Sequence, residues 1–313
     1  ISLPYHNPLM AANRMIQLDH MTKGRAMFGV GPGLLPSDAM MLGIEVAKQR
    51  DRMMQALDVI LRLMAGETVT EETEWYKLVN ARLHLLPFTK PRPEVAVASS
   101  VTPSGGRAAG KYGLGMLCVA ATQADGFDAL SVNWQVAQDI AAEHGRSMDP
   151  AALRLVGPMH IAETREQARA NMNYGYYKWA NYFAGIVPVP PRDLAGKDPV
   201  DAMIESGRAV VGTPDDAIKQ IERLYAKQGS FGCFLQLANN WADWDSTKKS
   251  YELFARHVMP HFRQANLNRA ASLAWAKANS ASFIGQATAA AGAMMQKHRD
   301  EQEAKAKARK AAE

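Results

Sequence analysis

The residues of this sequence that can do chemistry cluster after one short apolar segment. Val95–Ala98 runs into Ser99, Ser100, Thr102, Ser104, Gly105 and Gly106, a string of hydroxyls and small residues at the opening of a helical pattern. Backbone N–H groups at a helix start bind an anion, phosphate above all, and small side chains let it come close. The same residues also suit an ordinary strand-to-helix loop with a serine N-cap. Arg107, just beyond, either adds charge to such a site or projects into solvent. A second glycine group, Gly31 and Gly33 around Pro32, ends the strand-like run Ala26–Val30. It has neither the third glycine nor the immediate helix of a dinucleotide fingerprint, which excludes that reading. What is left is a strand end that a ligand can approach closely.

Other chemistries find no support. The two cysteines, Cys118 and Cys233, lie in apolar strand-like runs without a CxxC spacing, and read as buried thiols of a reduced, cytoplasmic chain. No cluster of metal ligands occurs. A net charge of +5 is spread along the chain until a basic C-terminal tail, so nothing marks a nucleic-acid footprint. No apolar run is long enough to span a membrane, and no signal peptide is visible. The chain opens at Ile1, inside an apparent strand and without an initiator methionine, and so reads as entered partway.

The elements that must position these residues alternate. Ile1–Leu3 reads as a strand end, and Asn7–Pro8 as the start of a helix closed by Gly24. Ser37 reads as the cap of a short helical turn. Lys48–Met64 is an amphipathic helix, with Met53, Leu57, Ile60, Leu61 and Met64 at 3.6 spacing. Residues 67–90 form a small β excursion. Val95–Ala98 reads as a strand buried on both faces, followed by a helix over Gly106–Tyr112 and a strand over Gly115–Val119. Phe127–His144 is helical, Arg154–Ala162 a strand, and Arg165–Phe183 a helix with Tyr176, Trp179 and Phe183 on one face.

Gly185–Asp201, with four prolines, reads as irregular. Thr213, Pro214 and Asp216 open a helix with a capping box. Residues 231–238 form a last buried strand, and Ser246–Phe262 a helix. Residues 264–313 are an alanine-rich helical extension outside a core domain of residues 1–263. Six strands alternating with helices imply parallel strands and right-handed crossovers. The loops after Val30, Ala98 and Leu237 then converge on one face, where ligands bind in such folds.

The run MAANRMIQLDHMTKGRAMFGVGPG, then EVAVASSVTPSGGRAAGKYGLG, then VVGTPDDAIKQIERL and a final strand, resembles the bacterial luciferase-like flavin monooxygenases in order and spacing. Within them it resembles the two-component branch of the limonene and alkanal monooxygenase type. The resemblance covers nearly everything up to residue 263. It implies an α/β fold, a (β/α)8 TIM barrel with FMN at the C-terminal ends of the strands. Ile1–Leu3 would be its third strand, so the first two βα units would be absent from this sequence.

It also implies that reduced FMN, supplied by a separate flavin reductase, reacts with O2 to give a flavin hydroperoxide that oxygenates a small apolar substrate, a terpene, ketone or aldehyde. A homodimer is the implied assembly. The cradle of the FMN phosphate would be Ser99, Ser100, Thr102, Ser104, Gly105 and Gly106, with Gly31 and Gly33 beside the flavin ring. A basic residue common near there in the family is Pro32 here. The family's active-site histidine falls in the absent part. His6 either lines the cavity or caps a strand end. Met159 and His160 alternate on a strand, so at most one enters the barrel. The aromatic stripe is a packed face, a dimer contact or a substrate box. Residues 185–206 match a mobile loop over the active site. Two relatives of the same fold compete: a deazaflavin-dependent hydride-transfer enzyme and a non-catalytic flavin-binding protein.

Overall fold

Asn7 Oδ1 accepts the N–H of Leu9 at 3.0 Å and of Met10 at 3.4 Å, and with Pro8 in the first turn it starts helix α1 (Pro8–Thr22) in the computed structural model. The structure describes residues 1–187, 196–264 and 267–310. Before α1, the chain at Ser2 pairs parallel with Gly31 and then makes one 3₁₀ turn over Leu3–Tyr5. α1 ends on Lys23 at φ 52°, with Gly24 following at φ 80°. Strand β1 is Met27–Val30, and a short helix α2 (Pro36–Met41) follows it. Ser37 lies inside that helix and does not cap it: Leu35 holds the cap position, with no side chain to accept. Helix α3 (Gln49–Met64) buries Met53, Leu57, Ile60 and Met64, as its periodicity predicts, whereas Leu61 is only partly covered and Leu63 is buried in its place. The β excursion is an antiparallel hairpin of β2 (Val69–Glu72) and β3 (Lys77–Ala81).

The central wall follows. Strand β4 (Glu94–Ser99) leads to helix α4 (Ser104–Tyr112), then to strand β5 (Gly115–Cys118) and helix α5 (Ala124–Glu143). Strand β6 (Leu153–Gly157) completes this part. The long strand expected over Arg154–Ala162 breaks at Pro158. Its second half is β7 (Met159–Ile161), which leaves the sheet to pair with β8 (Val210–Gly212). The single helix expected over Arg165–Phe183 is likewise two, α6 (Arg165–Asn171) and α7 (Tyr176–Ile186). Between them the N–H of Gly175 goes to the Trp241 carbonyl at 3.0 Å instead of continuing the helix.

Gly185–Asp201 is not wholly irregular: Gly185 and Ile186 end α7, and Asp198 caps α8 (Pro199–Glu205) by accepting the Val200 N–H at 2.8 Å. Residues 188–195, the centre of the expected active-site loop, lie outside the described residues. Thr213 and Asp216 form the expected capping box at α9 (Pro214–Gln228), which leads to strand β9 (Cys233–Gln236). β9 is only partly covered, with Leu235 exposed and Cys233 half-buried; of the two thiols expected to be buried, only Cys118 is. Burial raises the Cys118 thiol to about 12, which makes it inert. Asp243 caps α10 (Trp244–Leu253), which passes through one π-helical stretch, Phe254–Val258, into α11 (Met259–Phe262).

Five strands pair in the order β1-β4-β5-β6-β9, every contact parallel. Leu3 donates to the Gly31 carbonyl and Gly31 to the Ile1 carbonyl, which adds Ile1–Leu3 on the free side of β1. The wall therefore grows one strand at a time in one direction. A doubly wound sheet would reverse its order at a switch point; this one does not, and stepwise parallel growth is the topology of a barrel wall. Among the described residues the sheet is open between Ile1–Leu3 and β9.

The chain divides into two compact units, Ile1–Val258 and the part from Met259 onward. The second unit contains α11, α12 (Leu267–Ala278) and α13 (Ser280–Lys310), and α12 and α13 bury no residue. No helix among the described residues is long and apolar enough to cross a membrane.

Candidate functional site

Register and alternation assign the two faces of the wall. Val95, Val97 and Ser99 are buried on one face of β4, whereas Glu94, Ala96 and Ala98 on the other are partly open. The expectation of a strand buried on both faces therefore fails. α4 covers the first face, and a Cβ added to Gly105 would stand 2.9 Å from Ser99 Cβ. The second face continues sideways through register partners: Gly29 beside Ala96, Ala98 beside Leu117, Leu117 beside Arg154, and Val156 beside Leu235. These residues line what would be the lumen of a barrel. Glu94 and Arg154 at its foot apart, it is an apolar surface, and around Gly29, Gly31, Ala96 and Ala98 it is made of the smallest side chains. A Cβ on Gly29 would meet nothing within 4 Å, and one on Gly31 only Ala98 Cβ, at 3.3 Å. That leaves a flat space bounded by backbone, the shape a planar ring system requires.

At the upper end of this face stands the β4–α4 loop. Ser100 and Thr102 are exposed, and Thr102 Oγ1 and Ser104 Oγ lie 2.9 Å apart. α4 begins at Ser104 with Pro103 at the cap position and no side-chain cap, so the serine N-cap reading is not what forms. The N–H groups of Val101, Thr102, Ser104, Gly105 and Gly106 find no acceptor among the described residues. Ser99 Oγ is buried and also without a partner. Orphan donors gathered at a helix start fit an anion, and a phosphate would satisfy them.

Gly105 and Gly106 have a further reason to be glycine. A Cβ on Gly105 would stand 2.6 Å from the Ala98 carbonyl, and one on Gly106 2.5 Å from the Asn133 carbonyl. Their small size therefore lets α4 press onto β4 and α5, and only their N–H groups face the site. Gly33, at φ +90°, packs against the Tyr5 ring, whose hydroxyl accepts from Gln49 Nε2 at 2.8 Å. Gly31 belongs to the open face; Gly33 belongs to the turn above it.

His6 follows the 3₁₀ turn, and its backbone N–H closes that turn on the Leu3 carbonyl at 3.1 Å. Partial burial, reinforced by Arg14, lowers its basicity below that of an ordinary histidine. His160 and Met159 are both buried, and His160 Nε2 lies 3.0 Å from Asn171 Nδ2 on α6, away from the central wall. The aromatic stripe is a packed face: Trp179 lies 5.3 Å from Trp241 and stacks on Phe183 at 5.0 Å, in a core with Tyr176, Val200 and Met203. No group of three or more metal-ligating side chains comes together among the described residues.

Two residues escape a reading of the sequence. Gly29, inside a strand pattern, gives no signal beyond its type. Asn133, in the middle of a helix, is buried on α5, and its Nδ2 donates to the Ser100 carbonyl at 3.0 Å. A polar residue on the apolar face of a helix is the only hint the sequence carries for it.

A singly wound parallel wall, with a loop of unpartnered N–H groups above a small-residue face, matches a known class. Residues 1–230 match the profile of the luciferase-like monooxygenase family, and the chain belongs to it. It is 46% identical over 266 residues to limonene 1,2-monooxygenase of Rhodococcus erythropolis, covering 84% of this chain and 67% of that protein. In structure it is similar to the monooxygenase RslO1 of Streptomyces bottropensis, with a TM-score of 0.72 at 23% identity, over 83% of this chain and 76% of that one. It also resembles the oxygenating constituent of 3,6-diketocamphane monooxygenase of Pseudomonas putida, a type II Baeyer-Villiger enzyme in complex with FMN. There the TM-score is 0.65 at 22% identity, over 83% of this chain and 77% of that one.

Proposed function

We propose that this protein is a flavin-dependent monooxygenase that binds reduced FMN, supplied by a separate flavin reductase, and oxygenates a small apolar substrate such as a terpene, ketone or aldehyde. The observation that carries this reading is the row of unpartnered N–H groups at Val101, Thr102 and Ser104–Gly106, above the open face of Gly29, Gly31, Ala96 and Ala98. The similarity to limonene 1,2-monooxygenase and to an FMN-binding Baeyer-Villiger enzyme supports it.

The loop would hold the FMN phosphate, with Thr102 and Ser104 hydroxyls adding donors, and the small-residue face would take the ring. Bound there, reduced FMN would supply the electrons for the cleavage of O2, one oxygen atom going to the substrate and the other to water. The chain's own part is to bind, orient and exclude water: Val119, Val156, Leu235 and Leu237 give the substrate an apolar wall without competing hydrogen bonds.

The test is O2 uptake with FMN, NADH and a flavin reductase, in the presence of limonene, camphor-type ketones and long-chain aldehydes, with ¹⁸O₂ and mass spectrometry of the product. One ¹⁸O atom in the product is the expected result. Turnover with a reduced deazaflavin and no O2 uptake would replace the assignment by hydride transfer.

A further inference from the structure

Asn133 sits beneath the β4–α4 loop, 32 residues and more along the chain from it, with its side chain buried and its amide aimed upward. Nδ2 donates to the Ser100 carbonyl at 3.0 Å and reaches the Val101 carbonyl at 3.5 Å. In a trans peptide the carbonyl of one residue and the N–H of the next point in opposite directions. A side chain that holds both carbonyls down onto α5 therefore turns the N–H groups of Val101 and Thr102 up and outward. It also removes two negative carbonyl dipoles from the surface an anion would meet. The two N–H groups set in this way are those that find no acceptor in the chain. The backbone of Asn133 supports the same loop, because its carbonyl lies against Gly106 closely enough that a Cβ there would stand 2.5 Å away.

We infer that Asn133 is the positioning residue of the phosphate cradle: it touches no ligand, and it fixes the peptide planes of Ser100–Thr102 so that their N–H groups face the phosphate. This rests on the flavin reading above and extends it from the loop to the helix beneath.

The test compares FMN with riboflavin, which carries the same ring and no phosphate, by quenching of flavin fluorescence on the full chain. Asn133→Asp keeps the shape but replaces the donor by an acceptor that repels both carbonyls; Asn133→Ser keeps a hydroxyl donor of shorter reach. Circular dichroism and thermal melting show which variants keep the fold. Wild type should prefer FMN over riboflavin. Asn133→Asp should reduce that preference about tenfold or more, the usual weight of a charge-assisted hydrogen bond set, while riboflavin affinity stays the same. Asn133→Ser should fall between. A folded variant that keeps the wild-type preference would overturn the role of Asn133 and leave the flavin reading intact. Equal binding of FMN and riboflavin by wild type would overturn both.

Discussion

Arg154 Nη2 lies 2.6 Å from Glu94 Oε1, joining the second residue of β6 to the first residue of β4 across the foot of the lumen-facing surface. The pair is 60 residues apart in sequence, and Arg154 is the more buried partner. It spans the N-terminal ends of the strands, opposite the loops that carry the candidate site, where a residue serves stability and not chemistry.

Breaking that pair should weaken the fold and leave flavin binding alone. Glu94→Gln and Arg154→Met are each expected to lower unfolding stability by about 1–2 kcal/mol, between the ranges for exposed and buried ion pairs. Urea denaturation of both single variants and the double variant measures the coupling between them. FMN affinity within twofold of wild type is the second half of the expectation.

Filling the open face should do the reverse. In Gly29→Val the new side chain enters space where an added Cβ meets no atom within 4 Å. Replacing a strand glycine removes an entropic cost of about 0.5–1 kcal/mol, so the melting temperature should hold or rise. Flavin titration should show a loss of affinity of about tenfold or more, as a buried clash of a few kcal/mol gives. Unchanged FMN and riboflavin affinity would move the ring away from this face.

A methyl group between α4 and β4 should be expensive. Gly105→Ala would put its Cβ 2.6 Å from the Ala98 carbonyl, which is backbone and cannot rotate away. The expected loss is about 1–3 kcal/mol, the usual cost of overpacking. Gly292→Ala, on exposed α13 where an added Cβ meets nothing, serves as the control and should gain about 0.5–1 kcal/mol if it changes anything.

Acid should act through His160. Burial is the main cause of its lowered pKa, only partly offset by Asp243. Asn171 Oδ1 accepts from Gln167 Nε2 at 2.6 Å, which leaves Asn171 Nδ2 to donate to His160 Nε2 and fixes that nitrogen as an acceptor. The unfolded chain takes up this proton near the ordinary histidine value of about 6.5, whereas the folded chain resists it. Protons therefore favour the unfolded state, and stability should decline as pH drops below about 6.5 until the folded value is passed. Denaturation midpoints between pH 7.5 and 5 should show this slope, and His160→Gln should flatten it.

Much of the wall was legible in the sequence because its signals are local. Asn7–Pro8, the apolar spacing of α3 and the Thr213–Asp216 box each act within one or two turns, and each forms as expected. The β4–α4 loop was legible for the same reason, but as two alternatives, an anion site or a serine-capped turn, because hydroxyls and glycines between a strand and a helix serve both. What escaped depends on distant partners. Pro158 splits a run that alternates well on both sides, because β8 competes for its second half. Gly175 interrupts the aromatic helix because the Trp241 carbonyl, far along the chain, takes its N–H. Gly105 and Gly106 invite a ligand by their small size, and their missing side chains also make room for β4 and α5, an arrangement that no local pattern encodes.

β6 and β9 pair directly, although the chain between them makes β7, α6, α7, α8, β8 and α9. The wall therefore closes over that excursion as though it were absent. An insertion that leaves and returns at neighbouring strands can lengthen, shorten or be exchanged without shifting the register of the strands that flank it. What ties the excursion back to the wall is local, as where Thr122 Oγ1 donates to the Arg208 carbonyl at 2.7 Å, so the strands that carry the β4–α4 loop keep their register whatever the length of chain between β7 and β8.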